Sequence, residues 1–95
     1  MTNNHDNYQY PLNDSWTTTE IITVTQFYGL VERANEQRVV TADFLAAYRA
    51  FKQVVPAKSE EKQLGRAFES ASGYSIYRTV QAAQQATRQQ FQYRG

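Results

Sequence analysis

Cysteine is absent from the 95-residue chain, which removes disulfides, thiol nucleophiles and thiolate metal sites together and fits a reducing compartment. Histidine occurs once, at His5 in a polar, asparagine-rich start, so no imidazole is available as a positioned base or as one of a pair of metal ligands. The charge has almost no excess of either sign. Ten Lys and Arg against nine Asp and Glu give +1, far from the basic balance of a dedicated nucleic-acid binder. No run approaches the roughly 20 apolar residues of a membrane span, and the N-terminus lacks the basic and apolar regions of a secretion signal, so a cytoplasmic protein without membrane contact is expected. What is present in quantity is aromatic: seven Tyr, five Phe and one Trp, 14% of the chain, within 41% apolar residues overall. That is enough to build one modest core at this length and too little for two domains.

The periodicity predicts a single all-α domain, a small array of four helices preceded by an extended, aromatic-rich arm. Residues 1–7 read as a mobile terminus, 8–16 as the arm, in which Pro11 disfavours helix at Tyr10, and 89–95 as a frayed tail. Thr17-Thr18-Thr19-Glu20 has the form of a capping box, with Trp16 and Ile21 placed as its hydrophobic staple. The apolar residues that follow, Val24, Phe27, Tyr28, Leu30, Val31 and Ala34, spread over about half the helical wheel, which calls for more than one neighbour. Thr41 reads as the cap of a second helix with Phe44, Ala47, Tyr48, Phe51, Val54 and Val55 on a narrow stripe, ending before Pro56. A third helix over 58–72 carries Leu64, Ala67, Phe68 and Ala71 inward and closes at Gly73; a fourth starts at the Ser75 cap with Ile76, Tyr77, Val80 and Ala83 on one side. Beyond Ala83 the pattern thins, with six glutamines between Gln81 and Gln92, so this end frays or leans on something outside the domain.

Few residue groupings resemble a reactive site. Gly73-Tyr74-Ser75 resembles part of a nucleophile elbow, but the second glycine, the preceding strand and a histidine partner are missing, and Ser75 reads as a helix cap. Tyr48 and Lys52 have the spacing of short-chain dehydrogenases without any glycine-rich dinucleotide loop, and Tyr48 lies on the core stripe. Glu60, Glu61 and Glu69 interleave with Lys58, Lys62 and Arg66 as surface pairs along one helix. The best binding candidate is the cationic ridge of Lys58, Lys62 and Arg66, enlarged by Arg49, Lys52 and Arg78 where the helices bring them together. Tyr8, Tyr10 and Trp16 are candidates for self-association, because tyrosine and tryptophan suit a partly wet interface and two-fold pairing is the commonest closed arrangement.

The segments YQYPL at 8–12, Trp16-Thr17 with Glu20-Ile21, AAYRAFKQVVPAKSEEKQL at 46–64 and ASGYSIYRTV at 71–80 together resemble uncharacterised protein family 0223, from about Tyr8 to Ala83. The resemblance implies an all-helical cytosolic protein of Gram-positive bacteria with no assigned activity, cofactor or catalytic residue. Two departures stand out: family members commonly carry serine where Ala57 stands, and the glutamine-rich tail after Ala83 is particular to this chain. From the residues, the expected function is that of a non-enzymatic protein-interaction module with no cofactor, with a protein partner or a second copy of the chain as ligand; the alternative is a nucleic-acid-associated protein that uses the cationic ridge.

Overall fold

The computed structural model describes residues 10–94. The arm segment 10–16 ends in a turn closed by the Trp16 N–H on the Asn13 carbonyl at 3.1 Å. Helix α1, Thr18–Glu36, then starts at the expected capping box: the Thr17 side chain accepts from the Glu20 N–H, and the Glu20 carboxylate accepts from the Thr17 N–H. A two-residue strand β1, Val39–Val40, leads directly into α2, Thr41–Val54, which stops one residue short of Val55-Pro56. Helix α3 spans Lys58–Ser72, and Ala57 caps it without a side-chain hydrogen bond. It ends on Gly73 at φ 84, where a side chain would meet nothing within 4 Å but would have to adopt the left-handed conformation, at a cost of roughly 1–2 kcal/mol. Helix α4, Ile76–Gln85, is capped by Ser75, and strand β2, Gln90–Phe91, closes the described chain.

Aromatic rings carry the core from one end of the described chain to the other. Tyr10 of the arm meets Tyr28 at a tilt at 5.2 Å and stacks on Phe68 at 6.2 Å; Tyr28 stacks on Phe68 at 5.0 Å and meets Phe51 at 6.3 Å. Phe51 stacks on Phe27 at 4.7 Å, Phe27 meets Phe44 at 5.6 Å, and Phe44 takes the edge of Phe91 at 5.2 Å. Each such pair adds about 0.5–1.5 kcal/mol beyond the area it buries. The wide apolar sector of α1 is explained by this arrangement: Val24, Phe27, Tyr28, Val31 and Ala34 are all buried, with rings from α2, α3 and the arm around them.

Several sequence expectations change. The 89–95 tail does not fray over its described part. It turns back and pairs antiparallel with β1 in the register Val39↔Phe91 and Val40↔Gln90, so that Phe91 is buried. Thr41 does not cap α2; Val40 holds the cap position, and the Thr41 hydroxyl instead donates to the Arg88 carbonyl at 3.0 Å while its N–H donates to Gln89 O at 2.8 Å. Ala67 and Ala71 are exposed, because α3 buries only the i, i+4 pair Leu64 and Phe68. On α4 the buried face is Ile76, Thr79, Val80 and Ala83, and Tyr77 is turned out at 69% exposure. Thr79 is tolerated inside because its hydroxyl donates to Ser75 O and accepts from Asn35 Nδ2. Tyr8 and the 1–7 terminus lie outside the described residues.

Candidate functional site

The six cations read as a ridge have different surroundings. Lys58, Lys62 and Arg66 are exposed on α3, as are Arg49 on α2 and Arg78 on α4. Lys52 is engaged: its ammonium lies 2.7 Å from Glu61 Oε1, while the Tyr48 hydroxyl donates to Glu61 Oε2 at 2.9 Å. Tyr48 and Lys52 therefore converge as their spacing allows, but on a carboxylate that clamps α2 to α3. Burial, then the bond to Glu61 and then that carboxylate's charge push the Tyr48 phenol up to about 12. The expected acidic-basic pairs along α3 give way to ties between elements, since Glu60 accepts from Asn13 Nδ2 of the arm at 3.1 Å and Glu61 serves α2.

Tyr10 and Trp16 are spent within the chain. The Tyr10 hydroxyl donates to Glu32 Oε1 at 2.7 Å beneath its ring contacts, burial raises its pKa, and Trp16 is 9% exposed. Ser75 accepts from the Arg78 N–H, which is the capping role expected of it. Near it, an open recess of about 410 Å³ gathers Arg78 and Arg94 with Glu69, Tyr74 and Tyr93, and the Tyr74 hydroxyl donates to Glu36.

A second open recess, of about 480 Å³, lies along β2 and is lined by Arg38, Arg88, Gln90, Phe91, Gln92 and Arg94, with Gln89 beside them. Helical spacing does not single out these arginines, because they flank a strand and share no helix face. A signal was present: Arg88, Gln90, Gln92 and Arg94 alternate with Phe91 and Tyr93, the two-residue period of a half-buried strand. Among the described residues, no group of three or more His, Asp or Glu is placed to hold a metal ion, and no helix is long and apolar enough to cross a membrane.

Comparison with known proteins places this chain in a family without an assigned activity. The profile of an uncharacterised protein family, UPF0223, matches residues 7–92. A UPF0223 protein of Lactiplantibacillus plantarum is 63% identical over 94 residues, covering 99% of this chain and 97% of that protein. One from Bacillus cytotoxicus is 53% identical over 74 residues (78% and 83% covered), and one from Listeria monocytogenes is 54% identical over 80 residues (84% and 89%). The family profile extends past Ala83 to residue 92 and so covers β2.

Proposed function

This chain belongs to uncharacterised protein family UPF0223, a name that carries no activity, and we propose that it works as a non-enzymatic protein-interaction module of the bacterial cytosol. The observation that carries this reading is the open, arginine-lined recess beside β2, a surface shaped for contact with another macromolecule rather than for enclosing a small substrate. Supporting it, the side chains best suited to chemistry are occupied in joining elements: Ser75 caps α4, and Tyr48 and Lys52 share Glu61. The exposed ridge of Lys58, Lys62 and Arg66 favours a second reading, nucleic-acid association. Affinity capture from nuclease-treated and untreated cytosol separates the two. A protein partner recovered equally from both samples is the expected result, and recovery only from untreated cytosol would overturn the first reading in favour of the second.

A further inference from the structure

The recess beside β2 has a chemical bias that follows from strand geometry. Successive side chains of an extended segment point to opposite faces. Phe91 is buried against Phe44, whereas its neighbour Gln90 is exposed, as are Arg88 and Arg94, and with the half-buried Gln92 these residues line the recess. Continuing the register Val39↔Phe91 by one residue sets Arg38 across from Gln92, which brings a third guanidinium to the same recess. Among the described residues no carboxylate lines it. Arg38 and Arg88 have no side-chain hydrogen bond or ion pair among the described residues, and Arg94 reaches only Gln92 Oε1 at 3.3 Å.

The backbone of β2 is equally open. The Thr41 N–H donates to Gln89 O, and in an antiparallel ladder bonded and non-bonded pairs alternate, so Val39–Phe91 is the next bonded pair and Val40–Gln90 lies between them. The Gln90 N–H and C=O therefore point away from β1, toward an edge that no described strand covers. Such an edge adds an extended peptide through main-chain hydrogen bonds, while alternate side chains select its sequence. Guanidinium groups bind carboxylates through two parallel N–H bonds. A nucleic-acid strand fits less well, because Phe91 is held in the core and cannot stack on a base.

We infer that the β2 edge takes an acidic segment of a partner protein in extended form, laid beside Gln90 as a third strand, with its carboxylates on Arg38, Arg88 and Arg94. This names the ligand class for the interaction reading above and rests on it. The test uses the full chain, a fluorescein-labelled peptide alternating glutamate with threonine, its lysine counterpart, and an oligothymidylate of equal length. Fluorescence anisotropy is expected to show binding of the glutamate peptide that weakens with salt, no binding of the lysine peptide, and loss on N-methylation of alternate peptide amides. Amide shifts are expected at residues 38–41 and 88–94, and the combined Arg38→Gln, Arg88→Gln, Arg94→Gln variant should keep its melting temperature and lose about ten-fold or more in affinity. The inference is overturned by equal binding to that variant, by shifts confined to other residues, by tighter binding of the oligothymidylate, or by no binding of the glutamate peptide, which would leave the arginines as guards of a bare edge. Carrying the triple variant through affinity capture keeps the two readings apart. A partner retained by the variant defeats this site and leaves the interaction module standing, whereas failure of the wild type to capture any protein defeats the module itself.

Discussion

Tyr48 shows how one side chain links packing to pH. Its phenol is half-buried between Phe27 and Phe51 and donates to Glu61, and both burial and the carboxylate penalise the phenolate. These surroundings push it from the ordinary 10.0 of an unfolded chain up to about 12 in the folded protein. Above the lower value the unfolded state gives up the proton first, so the stabilising contribution is complete below it and is lost as pH rises through the interval. Burial raises Tyr10, Tyr28 and Tyr74 in the same direction. Urea midpoints measured at about pH 9 and about pH 11 are expected to fall for the wild type, and to fall less for Tyr48→Phe. Equal declines in the two proteins would show that this phenol is not held neutral by its surroundings.

Among the elements, the four helices were legible because their signals are local. Thr17 and Glu20, Pro56, Gly73 and Ser75 each act within a turn of the residue that they stop or start, and the structure sets helix ends at or within a few residues of those marks. The β1–β2 ribbon was not legible, since a two-residue strand carries almost no pattern of its own and its partner lies far along the chain. For the same reason local sequence points to Thr41 as a cap. Its hydroxyl had two possible partners, the nearby α2 backbone and the distant Arg88 carbonyl, and only folding brings the second within reach. The candidate site shared this fate: the exposed cations of α3 follow helical spacing, whereas Arg38 joins Arg88 and Arg94 only across the ribbon. Phe91→Ala tests whether the ribbon belongs to the core. Removing the ring from the edge of Phe44 is expected to cost about 3–5 kcal/mol in urea unfolding. A change within about 0.5 kcal/mol would assign β2 to the surface.

For the whole molecule, the placement of the arm alters what a self-association experiment should find. A second copy of the chain remains one partner that the interaction reading covers, but Trp16 and Tyr10 face their own core. Trp16→Ala is therefore expected to lower stability by about 3–5 kcal/mol and to leave the mass measured by light scattering equal to that of the wild type at each concentration where both are folded. A variant that kept its stability while its mass fell would return the arm to an interface. The row of rings from Tyr10 through Tyr28, Phe51, Phe27 and Phe44 to Phe91 has one more consequence, for the chain as it is made. Translation delivers the first ring early and the last one late, and until Phe91 emerges the outer side of Phe44 and the inner side of β1 have nothing to close over them. Pairings this distant along the chain are slow to form, and apolar surface left waiting for them is what chaperones bind. The nascent protein thus stays open to such capture until nearly all of the described chain has been synthesised, with β2 as its final closure.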